Sequence, residues 1–566
     1  MAVQSFQEVV SIRGSKIVLD VLGSDDIDVI FGIPGAATLP LYDEIFHSDM
    51  RHILARHEQG ASHMADGYAR MKGTPGVCLS TSGAGATNLV TGITTAYLDS
   101  SPVIALTGQV PTHVLGSDGF QEADIFSLMM PITKHNFRVT DVKNLESDLR
   151  SALRISMEGR PGPVHLDIPR DVFETEAPFL GLKSDPVSPQ PPDPRRLPEA
   201  VKMLMNAERP LILLGGGARI SRAGAAAIRM AEALSIPIAT TLMGKGSVPE
   251  DHALVLGMAG MHGKMSANIA LDECDVLLAV GARFSDRTVG DPRSCAMKVI
   301  HIDVDQGELG KNLPADIAIN GDCRLALEAM IELLTIKVCS STWSDRNGRI
   351  VSRCSCDIDV QENPISVRKV IKELDGFLPD DGVVCTEVGQ CQMFAAHHLT
   401  IRDDRRFITS GGLGTMGFGL PAAMGAKVAD PDRMVIDIAG DGSFTMVCQE
   451  LATAVAEDIP ITVVLLNNGH LGMIRQHQKL FYGSRFNAEN LGNTDMVGLA
   501  KAFGAGAARV DDYRDIRSAL EEATSSGRPY LLDIQINREE DVFPLTLRTA
   551  NGVKIHKGSC PFNGGC

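Results

Sequence analysis

The feature that most constrains this chain is the stretch of residues 434–470. Residues 434–439 form a short apolar run, and Gly440-Asp441-Gly442-Ser443-Phe444 follows as an acidic glycine turn. After a mixed helical segment, the apolar run 461–466 closes on Asn467-Asn468-Gly469-His470. Short apolar runs bounded by turn residues predict buried parallel strands, so the pattern reads strand, acidic turn, helix, strand, amide turn. A right-handed crossover sets two such strands side by side with their carboxyl ends on one sheet edge, where Asp441 and Asn468 would meet. One carboxylate, one amide oxygen and a nearby backbone carbonyl make half of a hard-oxygen shell, which suits Mg²⁺ when a diphosphate supplies the rest. Gly440 and Gly442 let a ligand approach the backbone closely, and the next helix offers its N-terminus to phosphate. Taken alone, Gly-Asp-Gly would equally serve as a sharp turn with Asp441 capping the helix.

The chain of 566 residues is long enough for three or four domains, each with a sizeable core. Its 53 Lys and Arg against 70 Asp and Glu give a net charge of −17, which disfavours nucleic acid or an anionic membrane as partner. Twelve scattered cysteines, several in apolar runs, suit reduced thiols in a cytoplasmic protein. Cys560 and Cys566 in the glycine-rich tail fit no zinc spacing, and a loose end is expected there. No apolar run approaches the ~20 residues of a membrane span, and the N-terminus lacks the marks of a secretory or transit signal.

Strand and glycine-turn repeats alternating with helical patterns predict an α/β fold of three doubly wound parallel-sheet, Rossmann-like domains. The first spans residues 1–184. Its helix beginning Arg56-His57-Glu58 carries small residues at helical spacing, so another backbone should pack closely against it. Glu58 opens that helix, where a carboxylate is ordinarily solvated and complements the dipole. Residues 185–198 hold six prolines and read as a linker. The second domain, 199–336, has the strand–glycine pattern of a nucleotide fold without a Gly-x-Gly-x-x-Gly fingerprint, and Asp303 at a strand end could bind ribose hydroxyls. The polar residues 337–364, including Cys354 and Cys356, read as a second linker. The third domain covers 365–548 and the tail 549–566.

Gly440-Asp441-Gly442 followed by Asn467-Asn468 resembles the metal-diphosphate motif of thiamine diphosphate enzymes. Within that family, residues 32–42, 56–70, 411–419 and 440–486 are most similar to the catalytic subunits of the acetohydroxyacid synthases, and the likeness runs from about residue 15 to 543. The resemblance implies three cofactors: thiamine diphosphate, Mg²⁺, and an FAD that does no net redox work. Asp441, Asn468 and the His470 carbonyl would hold the metal. Gln109, Val388, Gly389, Gln390, Met416, Gly440, Gly442, Ser443, Gly472 and Met473 would line thiamine diphosphate, with Met416 supporting its bent shape. Glu58 would hydrogen-bond the aminopyrimidine ring and favour the tautomer that removes the thiazolium proton. Phe120, Gln121 and Lys134 would line the substrate site, Lys134 facing a 2-keto acid carboxylate. Arg160, Met261, His262, Gly281, Arg283, Asp286, Arg287, Asp303, Asp305 and Asp322 match the family's FAD-contacting segments.

The implied reaction is decarboxylation of pyruvate and transfer of its two-carbon unit to a second 2-keto acid, giving 2-acetolactate or 2-aceto-2-hydroxybutyrate, an early step of branched-chain amino acid synthesis. A thiamine diphosphate-dependent decarboxylase or oxidase is the alternative on the same scaffold. A non-catalytic homologue is disfavoured by intact Glu58, Asp441 and Asn468. The resemblance further implies a homodimer or homotetramer with sites between subunits, and a regulatory small subunit. Two positions depart from the family: His477 stands where Trp is common, and Cys391 where His is customary. An imidazole gives an extra methylene a poorer apolar face, a discrimination limited to ~1–3 kcal/mol.

Overall fold

The computed structural model describes residues 10–181, 183–184, 186–289, 297–335, 341–353, 364–402, 404–548 and 554–557. Three six-stranded parallel sheets, each flanked by helices, account for most of the fold. In the first, the order is Arg51–Leu54, Val29–Gly32, Gly76–Ser80, Val103–Gln109, Val164–Pro169, His135–Arg138. In the third it is Arg406–Ile408, Val383–Thr386, Val435–Gly440, Thr462–Asn467, Tyr530–Gln535, Gly506–Val510. Counted along the chain, both sheets run 2-1-3-4-6-5. The middle sheet runs 3-2-1-4-5-6, the order of dinucleotide folds: Val255–Met258, Ile238–Thr240, Pro210–Leu214, Val276–Val280, Lys298–Asp303, Ile317–Asn320.

Central strands such as Val103–Gln109 and Val276–Val280 are buried along their whole length, because helices cover both faces of each sheet. The switch points, where strand order reverses, fall at Gly32/Ser80, at Leu214/Val280 and at Thr386/Gly440. Ligands bind at such points because the loops there diverge to opposite faces and leave a crevice.

The small residues of the helix Glu58–Lys72 meet the helix Gly419–Ala429 of the third domain, the most extensive helix pair among the described residues. A Cβ at Gly67 would overlap the Ala422 carbonyl, and one at Gly425 the Met64 carbonyl, so only glycine permits this crossing. One hydrophobic core consequently runs through both domains, from Phe31 and Tyr68 to Phe444 and Leu465. Beside it, Arg70 is buried between Asp66 (2.7 Å) and Asp99 (3.0 Å) and donates to the Thr409 carbonyl at 2.8 Å.

Part of the second linker is structured. Thr342–Arg353 is a helix whose buried Trp343 donates its indole N–H to the Pro210 carbonyl at 2.9 Å, an anchor that the polar composition around it concealed. The proline-rich stretch is also tied down: Asp322 donates its N–H to the Gln190 carbonyl and Gln190 Nε2 donates to Asn320 Oδ1. Leu545–Arg548 pairs antiparallel with Lys554–Lys557, so the expected loose tail begins as a hairpin. Cys354, Cys356, Cys560 and Cys566 lie outside the described residues, as do residues 1–9. Among the described residues six cysteines are free thiols, and no helix is long and apolar enough to cross a membrane.

Candidate active site

The strand Val435–Gly440 ends at a helical turn, Asp441–Phe444, at the switch point of the third sheet. Its neighbour Thr462–Asn467 ends one strand away, with Gly440 in register with Leu466. The two turns converge: the backbone N–H groups of Asn468 and Gly469 face the Asp441 carboxylate. Burial raises this carboxyl to about 6, and the N–H groups of its own turn and of Asn468 and Gly469 pull against that rise. Among the described residues no cation pairs with Asp441, which leaves a buried carboxylate suited to a divalent ion.

Of the two asparagines, Asn467 turns away to Asp533 (2.8 Å), and Asn468 stays at the site, its Oδ1 accepting the His470 N–H at 2.9 Å. The turn is pinned by Leu491 N–H on the Gly469 carbonyl and Leu471 N–H on the Glu489 carbonyl; among the described residues nothing donates to the His470 carbonyl. The His470 ring lies 2.6 Å from Glu489 Oε2, outside hydrogen-bond geometry. No group of three or more His, Cys, Asp or Glu side chains among the described residues could hold a metal. The half-shell of Asp441, Asn468 and the His470 carbonyl therefore needs oxygens from a ligand, as a diphosphate would supply.

The surroundings are shaped for such a ligand. A side chain at Gly472 would overlap the Gln390 amide, and one at Gly442 would come within 2.7 Å of Leu471 and 3.8 Å of Met416. Gly389 has a φ of 135°, which only glycine adopts readily, and precedes the helix Gln390–His398, whose N-terminus opens on the crevice beside Val388. Cys391 lies beneath the acidic turn, its Sγ 3.7 Å from where a Gly440 Cβ would stand, and burial pushes its thiol up.

At the carboxyl edge of the first sheet, Glu58 is 8% exposed rather than solvated, and Asn88 donates to its Oε2 at 2.9 Å. The Ser82–Asn88 turn packs Gly85 against Glu58 and Gly83 against the Gln121 backbone, so Glu58 and Gln121 share one edge. Gln121 has a φ of +60°, and Phe120 beside it is 89% exposed. Among the described residues no hydrogen bond or ion pair joins Glu58 or Gln121 to Asp441 or Asn468.

Two expected site residues, Gln109 and Lys134, have partners within the fold. Gln109 is buried, with its amide donating to the Ala123 carbonyl and Asp167 and its oxygen accepting the Val110 N–H. Lys134 donates to the carbonyls of Ile155 and Glu158 at the end of the helix Val142–Met157, and burial lowers its pKa to about 8. With these two bonds it satisfies carbonyls at a helix terminus.

A cavity of about 970 Å³ joins the domains, at the upper end of the range for ligand pockets. It is lined by Arg160, Met261, His262, Gly281, Arg283, Asp286, Arg287, Asp303 and Asp322, and reaches Val388, Gly389, Met473 and His477. Its floor is the switch point of the middle sheet, where Gly281, at φ +60°, abuts Gly217 so closely that neither tolerates a side chain. Burial raises Asp303 to about 6 and lowers Arg283 from its ordinary value. The buried His262 Nδ1 has no partner. Asp305 does not line the cavity; it pairs with Arg160 at 3.3 Å and accepts the Gly307 N–H. Apposed glycines, arginines and a strand-end carboxylate fit a dinucleotide such as FAD.

The sequence reading missed three buried carboxylates beside these sites. Glu387 accepts N–H groups from Gly417 (2.8 Å) and Leu420 (3.2 Å) and the Ser443 hydroxyl. Next to it Asp437 has no partner for either oxygen, and burial followed by the charge of Glu387 drives its pKa well up. An acid inside the apolar run 434–439 was the available signal. Glu450 gave none, because its partners, Arg56 and His57, lie in another domain.

Comparison with known proteins agrees with this geometry. The chain matches the N-terminal TPP binding domain of thiamine pyrophosphate enzymes over residues 12–128, their central domain over 197–330 and their C-terminal TPP binding domain over 387–534. It is 47% identical to a probable acetolactate synthase large subunit of Methanocaldococcus jannaschii, covering 93% of this chain and 92% of that protein. It is 42% identical to the acetolactate synthase large subunit of Corynebacterium glutamicum (94% and 88% covered). With the large subunit of acetolactate synthase isozyme 2 of Escherichia coli it shares 40% identity (94% and 97% covered). Three parallel-sheet domains, two converging turns and this similarity along the whole fold together place the chain in the acetolactate synthase large-subunit family of thiamine pyrophosphate enzymes.

Proposed function

We propose that this chain is the catalytic subunit of a thiamine diphosphate-dependent acetolactate synthase. It would decarboxylate pyruvate and join the two-carbon unit to a second 2-keto acid. The observation that carries the reading is the convergence of the acidic turn at Asp441 and the amide turn at Asn468 on one buried, cation-free crevice. Asp441, Asn468 and the His470 carbonyl would hold Mg²⁺ with the diphosphate oxygens. Gly440, Gly442, Ser443, Gly472 and Met473 would let the diphosphate approach, Val388, Gly389 and Gln390 would flank it, and Met416 would support the rings. Bound there, thiamine diphosphate supplies the electron sink for loss of CO₂.

The protein's part is position, dryness and proton handling. Glu58, buried and fixed by Asn88, would hold a proton at the aminopyrimidine ring. Gln121 and Phe120 would close the substrate space. The large cavity would take FAD through Arg160, Arg283, Asp303 and Asp322, without a redox step. Glu58 and Asp441 share no hydrogen bond or ion pair among the described residues, and Phe120 at one edge and Met446 (56% exposed) near the other offer apolar surface to water. A site shared between the Glu58 edge of one subunit and the Asp441 edge of another accounts for both facts, making the assembly a homodimer or homotetramer. The large-subunit names of the relatives support a regulatory small subunit as partner, and the cytoplasm is the proposed compartment.

The test is product analysis. Purified protein with pyruvate, thiamine diphosphate and Mg²⁺ should release 2-acetolactate, and EDTA should abolish the reaction until Mg²⁺ is restored. Acetaldehyde or acetyl phosphate as the only product would favour a decarboxylase or oxidase and overturn the assignment.

A further inference from the structure

We infer that Glu450 is a positioning residue for Glu58: a buried carboxylate of the third domain holds the backbone from which Glu58 departs. The inference rests on the role proposed above for Glu58. Each Glu450 oxygen accepts the Arg56 N–H at 3.1 Å, Oε1 accepts the His57 N–H at 2.9 Å, and Oε2 accepts the Thr453 hydroxyl at 3.0 Å. The Glu450 side chain is fully buried.

Arg56 and His57 are the two residues before the helix Glu58–Lys72, where N–H groups have no partner within the helix. A carboxylate there satisfies two donors and complements the helix dipole. His57 in turn accepts the Gln59 N–H on its ring at 3.1 Å and the Ala61 N–H on its carbonyl at 3.1 Å, so the peptides on both sides of Glu58 are held. The Glu58 side chain is thus held at both ends, by its backbone and by Asn88 on Oε2.

The contact has its own steric requirement. A methyl group at Gly60 would overlap the Glu450 carboxylate, so the helix carries glycine where the carboxylate crosses it. Glu450 also opens the helix Glu450–Ala456, nine residues after Asp441. One short segment therefore carries both the proposed metal ligand and the group that orients the proposed proton carrier. These belong to different sites if sites form between subunits.

The test uses the full-length protein with the variants Glu450→Ala, Glu450→Gln and Gly60→Ala. Three readouts are taken: amide hydrogen exchange of peptides covering residues 54–60 without cofactor, thiamine diphosphate affinity with Mg²⁺ by calorimetry, and exchange of the thiazolium C2 proton with D₂O by acid quench and NMR. Glu450→Ala and Gly60→Ala should expose the Arg56 and His57 amides and slow C2 exchange on the order of tenfold with little loss of cofactor affinity, because orientation and not binding is changed. Glu450→Gln, which keeps one acceptor oxygen, should fall between them and wild type. If Glu450→Ala does not fold, the other two variants carry the test. Wild-type C2 exchange in Glu450→Gln and Gly60→Ala, or slowing matched by an equal loss of affinity, overturns the inference. Glu58→Gln separates the two readings. If it leaves C2 exchange unchanged, the role of Glu58 itself falls; if it abolishes exchange while the Glu450 and Gly60 variants behave as wild type, only the positioning inference falls.

Discussion

The Ser443 hydroxyl lies 2.6 Å from Glu387 Oε2, and that same oxygen accepts the Gly417 N–H at 2.8 Å. One fully buried carboxylate thus fastens the acidic turn to the loop that carries Met416. The two sides of the proposed cofactor crevice are held by a single group, which gives Glu387 leverage over both.

Glu387→Gln replaces an all-acceptor group with one that presents N–H toward donors, and a buried donor left unsatisfied costs ~1–3 kcal/mol. The expected result is a weaker thiamine diphosphate Kd by about tenfold, with kcat falling as well. Calorimetry and steady-state rates check it, and Ser443→Ala should give a milder version of the same effect.

Asp437 provides a stability prediction with a definite sign. Its folded pKa lies well above the ordinary 3.8, so its contribution to stability is complete below that value and is lost as pH rises toward the folded pKa. Asp437→Asn removes this term while adding a constant penalty of ~1–3 kcal/mol for an unpartnered amide. The difference between variant and wild type should therefore shift in favour of the variant between about pH 5 and about pH 7.5, at up to ~1.4 kcal/mol per pH unit. Urea melts of the cofactor-free protein at both pH values measure it.

Asp99 joins Arg70 to the N–H groups of Gly411 and Gly412, linking the first domain to the loop at the edge of the large cavity. Asp99→Ala leaves a buried guanidinium short of a partner, a loss of ~3–5 kcal/mol. Denaturant melts should show it, and the Ser410–Gly414 loop should become protease-sensitive first.

His477 lines the cavity, and burial, then the nearby Arg287, lowers its pKa from the ordinary value, so it is a neutral ring at physiological pH. His477→Trp offers a larger apolar face to the extra methylene of 2-ketobutyrate. In competition with pyruvate, the product ratio should move toward 2-aceto-2-hydroxybutyrate by a factor worth ~1–3 kcal/mol at most.

Much of the site was legible because its local elements are. The apolar runs before Asp441 and before Asn467 have strand length and turn endings, and parallel strands joined by a right-handed crossover can only open on one edge. The packing partner expected for the helix at Glu58 was found in Gly419–Ala429, since glycines at helical spacing advertise a close crossing without naming what crosses. The partners of Lys134 and Gln109 were not legible, because a side chain's type does not say where its hydrogen bonds go. Each side chain is met by carbonyls or carboxylates that the fold brings up from residues well separated in sequence. Thr342–Arg353 was read as linker because its polar face dominates its composition, while a single buried indole anchors it.

The sequence by itself determined three parallel-sheet domains and the place of the acidic and amide turns, because strand periodicity and turn chemistry are short-range properties. Only the tertiary structure decided that Glu58 is buried, that Glu450 reaches the Arg56 and His57 N–H groups across a domain boundary, and that Glu387 and Asp437 lie side by side. Burial and hydrogen-bond partnership depend on residues far apart in sequence, nearly four hundred positions for Glu450 and Arg56, brought together by sheet pairing and by the glycine-lined crossing of two helices, and no local pattern encodes them.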